Sequence, residues 1–184
     1  MAVSSSGKVT IGRGAEVAFV APGLLQFLKE ASQASDQFNK EMRIAAEQVA
    51  QIVVDRAKVN ASSQPKHGPT VTGSSGRSQA QAVVNGLRAR RDRIPTIKLD
   101  SKRGYVSASR SNRKRKQKVT MGQVFYGAEF GGRGPSGRTK QFLRHRGRQG
   151  YFFWQAVRDS KGTIATEYLA AIDSVLKKLA PGAE

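Results

Sequence analysis

The sequence predicts an α+β protein in which a long N-terminal helix and a C-terminal helix pack on a small antiparallel β-sheet with extended basic loops. Apolar residues recur at helical spacing near both ends of the 184-residue chain, which predicts the two helices. Short β-branched segments lie between glycine-rich and proline-rich stretches in the middle of the chain, which predicts the sheet.

The N-terminal helix is predicted from about residue 23 to residue 58. Pro22 suits its first turn, where a missing N–H costs nothing. The spacing of the apolar residues then follows one helical stripe, which includes Phe38, Met42, Ala45, Val49 and Ile52. A break is expected near Ser32 to Ser35. Residues 1–20, rich in Ser and Gly at their start, are predicted to be an arm or an edge strand.

The middle of the chain alternates between loop and strand patterns. Prolines, glycines and hydroxyl residues predict a loop at 60–77, and a short amphipathic piece follows at 80–87. IPTIKL at 94–99 predicts a strand, and Tyr105 and Val106 are predicted to extend the sheet. A further strand is predicted at 119–132, followed by a turn at 132–137.

The last third predicts helix. An aromatic cluster begins after Gly150, and a helical stripe runs from Ile164 to Leu179, with Gly162 as a possible separator and Pro181 and Gly182 as the end. The predicted organisation is therefore an arm at 1–20, a single domain at 21–180 and a tail at 181–184.

The positive charge of the chain is concentrated in one segment. The formal net charge is +19, and residues 86–148 contain 19 Lys and Arg but only three acidic residues. Such an excess indicates an acidic partner, which can be nucleic acid, an acidic protein or both. A mobile loop is predicted at 107–118, either as a polyanion contact or as a solvated loop that orders on a protein partner. Its candidate contacts with DNA or an acidic partner are Arg110, Arg113, Lys114, Arg115, Lys116 and Lys118.

The sequence shows no residues at the spacing that catalytic, metal-binding or phosphate-binding sites require. The chain has no Cys, and His67 and His145 lie far apart without metal-ligand spacing. GGRGPSG at 131–137 resembles a phosphate loop only in composition, because the GK[ST] ending is missing. We therefore expect no catalytic residue, no metal, no cofactor and no enzyme activity. Neither a signal peptide nor a membrane span is predicted.

Two segments carry a resemblance to a known family. They are FYGAEFGG at 125–132 and QFLRHRGRQGYFFW at 141–154, followed by an amphipathic closing helix. Together with the long N-terminal helix and a Thr72-Gly73 loop, they resemble the tail-completion or head-to-tail connector proteins of the siphophage neck, which are functionally akin to lambda gpZ. RIPTIKL and GRQGYFFW look like the versions found in phages of actinobacteria. The matching residues, which are candidate subunit-interface residues, are Tyr126, Glu129, Phe130, Gly131, Phe142, Leu143, Arg144 and Trp154.

The resemblance implies a structural virion protein that joins the tail to the head connector. It implies a homo-oligomeric ring, hexameric or dodecameric, through which DNA passes. It also implies helices packed on an antiparallel sheet whose strand contains the Tyr-x-x-Glu-Phe-Gly pattern of residues 126–131. The implied neighbours are connector or stopper proteins, tail-terminator or tail-tube proteins, and packaged DNA, with no membrane. The implied location is the virion neck, assembled in the host cytoplasm.

Two further expectations concern the surroundings of individual residues of the motif. Glu129 is expected either to pair with an Arg of its own or the next subunit, or to accept backbone N–H groups within the chain. Phe142 and the aromatic residues at 151–154 are expected more in the core than at an interface.

The rival function is that of a nucleic-acid-binding protein without sequence specificity. Its only support in the sequence is the net charge.

Overall fold

The computed structural model describes residues 16–19, 23–64, 79–105, 119–132 and 142–179. Within these ranges it contains five α-helices and two small β-sheets, which confirms the predicted α+β class. The predictions for residues 1–15, for most of the loop at 60–77, for the basic loop at 107–118 and for the tail at 181–184 lie outside the described residues.

The N-terminal helical region is two helices, α1 at Leu24–Ala34 and α2 at Asp36–Ser62. They are separated at Ser35, whose backbone is extended with φ −155° and ψ 123°. The Oγ of Ser35 accepts a hydrogen bond of 3.2 Å from the backbone N–H of Phe38, as an N-cap residue does. The predicted break is therefore confirmed, and α2 continues beyond the predicted end, to Ser62.

The first sheet has three strands, β1 at Glu16–Ala18, β2 at Leu87–Arg90 and β3 at Thr96–Leu99. Their order is β1-β3-β2, and β1 runs antiparallel to β3 with Val17 opposite Ile97. The strand predicted within IPTIKL is confirmed. Helix α3 at Gln79–Val84 precedes β2 and accounts for the amphipathic piece.

Tyr105 belongs to a second sheet, so the prediction that it extends the first sheet is wrong. Strand β4 at Gly104–Tyr105 pairs antiparallel with β5 at Val119–Thr120. Before β4 the chain turns: the backbone N–H of Arg103 donates to the carbonyl of Asp100 at 3.2 Å. The turn changes the direction of the chain, so β4 pairs with β5 and does not continue the first sheet. Val106 lies outside the described residues.

The segment predicted as a strand at 119–132 is mostly helix, α4 at Met121–Phe130, and this corrects the prediction. A capping box begins the helix, because the Gln123 side chain accepts the Thr120 N–H at 2.9 Å. Gly122 and Gly127 lower the intrinsic helix propensity, which is why the sequence pattern misleads. Packing overrides that propensity, since Met121, Val124, Phe125 and Ala128 are buried at helical spacing.

The C-terminal helix α5 runs without a break over Phe153–Leu179. Gly162 does not separate two pieces, as the sequence had suggested, because buried residues on both sides hold one helical face. The buried residues of the predicted stripe are Ile164, Tyr168, Ile172 and Val175.

Replacing Gly162 by alanine is expected to stabilise the protein by about 0.5–1 kcal/mol, because alanine loses less backbone entropy in a helix interior. The position is exposed, and no atom lies within 4 Å of the added methyl group. The free energy of unfolding in urea measures the change. A loss of stability would show that α5 needs a flexible residue at this point.

The chain divides into two compact units, to which α2 and α5 both contribute. Unit 1 comprises 1–52, 89–98 and 160–184, and Phe27 meets Phe38 edge-to-face in it at 6.2 Å. Unit 2 comprises 53–88 and 99–159, and α3 packs against α4 in it. No helix in the described ranges is long and apolar enough to cross a membrane.

Candidate functional site

The two segments that carry the family resemblance lie against each other in unit 2. Gly132 and Arg144 form a parallel β-bridge, and the Gly132 N–H donates to the carbonyl of Leu143 at 3.0 Å. The Arg146 N–H donates to the carbonyl of Phe130 at 2.9 Å. Backbone hydrogen bonds therefore join the end of α4 to the chain that leads into α5.

The carboxylate of Glu129 is the centre of this arrangement and is fully buried, with 0% of its surface exposed. Its Oε2 accepts the backbone N–H groups of Phe152 at 3.2 Å and Phe153 at 2.9 Å, and its Oε1 accepts that of Trp154 at 2.8 Å. These N–H groups lie at the start of α5, where helical N–H groups have no partner within the helix. Glu129 thus caps α5 from a different helix.

Two opposing effects act on the ionisation of Glu129. Burial raises the pKa of its carboxyl group above the ordinary value, and the N–H groups of Phe153, Trp154, Phe152 and Tyr151 act in the opposite direction. Burial is the larger effect, so the net pKa is raised. The two alternatives expected for Glu129 were an arginine pair and N–H acceptance, and the contacts within the described residues are of the second kind.

Two glycines allow close approaches of the backbone, Gly150 to the Glu129 carboxylate and Gly131 to the 142–146 segment. Gly150 has a φ of +67°, and a Cβ at this position would overlap with Oε1 of Glu129. Gly131 has a φ of +78°, and a Cβ there would lie 2.6 Å from the carbonyl oxygen of Leu143. Both positions therefore require glycine, for conformation and for space.

Phe142 fits over another glycine. Its ring covers Gly127 of α4, where a side chain on the glycine would overlap with the ring atoms. Phe142 and Leu143 are both half-buried. Their packing shows why the two segments fit together although α4 is a helix and not the strand that the resemblance implied.

Other residues of the resemblance face outward. Tyr126 is 45% exposed and stacks on Phe130 across one turn of α4, with ring centroids 6.4 Å apart and an interplanar angle of 18°. Arg144 is exposed and Trp154 is half-buried. Phe152 and Phe153 are buried against Phe125, with ring centroids 6.2 and 5.8 Å away. Of the motif, Glu129 is therefore internal, while Tyr126 and Arg144 are accessible.

No protein-family model, no curated protein and no solved structure matches the chain.

An exposed basic strip follows the motif, and of its three arginines only Arg144 was among the predicted site residues. It consists of Arg144, Arg146 and Arg148, which alternate along five residues of loop and 3₁₀ helix that also include exposed His145. The guanidinium of Arg146 lies 5.3 Å from the ring centroid of Tyr151, and the Tyr151 hydroxyl donates to the Arg144 carbonyl at 2.6 Å. The predicted contacts at 110–118 lie outside the described residues.

No metal centre is found in the parts of the chain that the structure describes, because they contain no group of three His, Cys, Asp or Glu residues that could hold an ion. The sequence signal that could have revealed the cap is the entry into α5. Gly150, Tyr151 and Phe152 offer no short side-chain oxygen to accept its first N–H groups. Because Phe152 and Phe153 are buried, water does not take this place, and another part of the chain supplies the acceptor.

Proposed function

We propose that this chain is a structural protein of a phage neck, which completes or joins the tail to the head connector as a subunit of a ring. The observation that carries the proposal is the way in which the two segments of the family resemblance fit together. Glu129 of the first segment accepts N–H groups at the start of α5, and the ring of Phe142 from the second segment covers Gly127. This packing supports the proposal because both segments carry the resemblance.

The accessible part of the motif supplies the subunit contact in this proposal. Tyr126 and its stacked partner Phe130 form an aromatic surface on α4, and aromatic side chains are frequent anchors of protein interfaces. Arg144 lies in the segment that crosses the end of α4. In a closed ring, this surface of one subunit meets a different surface of the next one. Connector, stopper and tail-terminator or tail-tube proteins are the neighbours on either side.

The Tyr126→Ala variant is expected to fold normally but to lose ring formation and incorporation into particles. The side chain is exposed, so its removal leaves the core of unit 2 intact, while loss of an aromatic anchor costs an interface about 2 kcal/mol or more. Light scattering of the purified chain mixed with connector rings or tail tubes measures assembly. Virion composition after complementation of a phage that lacks the gene measures incorporation.

Val59→Ala is the matched control, because Val59 is another exposed apolar residue of unit 2 outside the motif. It is expected to assemble like the wild-type chain. A wild-type chain that stays monomeric with every neck component and is absent from purified virions would overturn the proposal.

The second candidate function is binding of nucleic acid without sequence specificity, and the exposed Arg144, Arg146 and Arg148 favour it. Arginines spaced along one loop suit contacts with backbone phosphates. This function predicts that the free monomer binds duplex DNA with an affinity that falls steeply as salt rises. If particles assemble normally when the basic residues at 113–116 are replaced by alanine but function is lost, nucleic-acid binding becomes the better account.

A further inference from the structure

Unit 1 contains a cavity of about 470 Å³ that is both basic and apolar. Arg43 of α2 and Arg91 and Arg93 of the β2–β3 connection line it, together with one acidic residue, Asp92. The apolar part of the lining consists of Leu25, Leu28 and Ile94. Its volume lies in the range of cavities that bind ligands.

The positive charge of this cavity is not neutralised by its own acidic residue. Asp92 forms an ion pair with Arg90, whose Nε lies 3.2 Å from the Asp92 carboxylate. Arg43 and Arg91 have exposed side chains, and neither makes a hydrogen bond or an ion pair within the described residues. Two guanidinium groups are therefore available to an anionic ligand.

Arg93 is held in position at the cavity by contacts on both its side chain and its backbone. Its Nη1 donates to the carbonyl of Leu28 at 3.4 Å, and its own carbonyl accepts the hydroxyl of Tyr168. Burial raises the pKa of Tyr168, so its hydroxyl remains a donor at all physiological pH values. The β2–β3 connection is thus fixed to α5, so the fold holds the side of the cavity that this connection supplies.

The exposure of Leu25 indicates that the ligand carries an apolar group beside its anionic group. It lines the cavity and yet 55% of its surface is exposed, so a ligand with an apolar group could cover it. Duplex DNA presents a convex row of phosphates and no apolar group that could enter such a cavity. A peptide with a carboxylate beside a large apolar side chain supplies both parts, because guanidinium groups bind carboxylates in bidentate fashion.

We infer that this cavity is a docking site for an acidic peptide segment of a partner protein, in which Asp or Glu stands next to Leu or Phe. Arg43 and Arg91 bind the carboxylates, and Leu25, Leu28 and Ile94 receive the apolar side chain. The inference does not depend on the neck assignment, since the cavity lies in unit 1 and the motif lies in unit 2.

The test uses the full chain and a fluorescein-labelled peptide in which Glu and Asp alternate with Leu and Phe. Fluorescence anisotropy is measured at an ionic strength of about 0.15 M, where long-range attraction between exposed charges is largely screened. The Arg43→Ala/Arg91→Ala variant is expected to bind at least about tenfold more weakly, because it loses two charge-assisted contacts. The Arg43→Lys/Arg91→Lys variant keeps the charge and is expected to fall between the two.

The matched control is Arg56→Ala/Arg88→Ala, which removes the same charge from two exposed arginines outside the cavity. It is expected to change the affinity less than about twofold, as screened surface charges do. Equal weakening in both double variants would mean attraction by net charge alone and would overturn the inference.

Two altered peptides and a DNA competitor complete the test. A peptide with Gln and Asn in place of the acids is expected not to bind, and one with Ser in place of Leu and Phe is expected to bind at least about tenfold more weakly. Equal binding of the Ser peptide would reduce the cavity to a plain anion site and overturn the inference. Binding of duplex DNA that depends on Arg43 and Arg91, without such dependence for the peptide, would also overturn it.

Discussion

Replacing Glu129 by alanine is expected to lower the free energy of unfolding by about 3–5 kcal/mol, because it leaves buried N–H donors without an acceptor. Three backbone N–H groups, those of Phe152, Phe153 and Trp154, lose their partner at once. The loss falls on the start of α5 and on the chain that joins it to α4. Urea unfolding followed by circular dichroism and by the fluorescence of Trp154 measures it.

Glu129→Gln separates the roles of the two carboxylate oxygens. The amide oxygen can replace Oε2, which accepts two N–H groups, while the amide nitrogen then faces the N–H of Trp154 as a second donor. We expect a smaller loss of about 1–3 kcal/mol for this variant. Glu167→Ala, at an exposed position of α5, is the control and is expected to stay within about 0.5 kcal/mol of the wild type. Equal stability of the Glu129→Ala variant and this control would contradict the capping role.

The difference in stability between the wild type and the Glu129→Gln variant depends on pH, and its sign follows from the pKa of Glu129. Its pKa is higher in the folded protein than the ordinary value of 4.5, because burial outweighs the N–H groups. The folded state therefore binds the proton more tightly, and this contribution to stability is lost as pH rises from 4.5 through the folded value. The stability of the wild type relative to Glu129→Gln is expected to fall over that window. A rise instead would mean that the N–H groups outweigh burial.

Gly131→Ala is expected to destabilise the protein by about 3 kcal/mol, from backbone strain and from overlap with neighbouring atoms. The residue has φ +78° and ψ 173°, a conformation that is almost exclusive to glycine. The new methyl group would also meet the carbonyls of Leu143 and Arg144. These carbonyls cannot move away freely, since that of Leu143 accepts the Gly132 N–H. Urea unfolding measures the loss.

Gly147→Ala separates strain from overlap. Gly147 also has a positive φ, of +64°, but no atom lies within 4 Å of an added Cβ. Only the strain remains there, so the expected loss is about 1–2 kcal/mol. If Gly131→Ala costs no more than Gly147→Ala, the close approach of the 142–146 segment to α4 does not stabilise the protein.

The helices at the two ends of the chain could be predicted because their signal is local. The steps between Phe38, Met42 and Val49, and between Ile164, Tyr168 and Val175, place apolar residues on one helical face whatever else the chain does. The break at Ser35 was predictable for the same reason, since a serine can cap the next helix within the same few residues.

Most local signals did not favour helix α4, and the exception is Thr120 followed by Gln123, the pair that forms its capping box. Gly122 and Gly127 disfavour a helix on propensity alone, and the aromatic residues between them favour a strand. The ring of Phe142 requires Gly127 to be a glycine, and the burial of Phe125 and Ala128 makes the helix favourable. Phe142 is distant from Gly127 in sequence, and the burial of Phe125 and Ala128 depends on the packing of unit 2. A short stretch of sequence around α4 therefore does not reveal either cause.

The sequence by itself determined the class of the protein, its two long helical regions and the concentration of positive charge at 86–148. It also singled out Glu129 as an acid within a basic segment, but could not say whether an arginine or backbone N–H groups would surround it. The tertiary structure decided that question, because the first N–H groups of α5 need an acceptor and no nearby side chain supplies one. It also brought Arg43 to the cavity that Arg91 and Arg93 line. Arg43 is distant from these two residues in sequence, so only the folded chain places the three together.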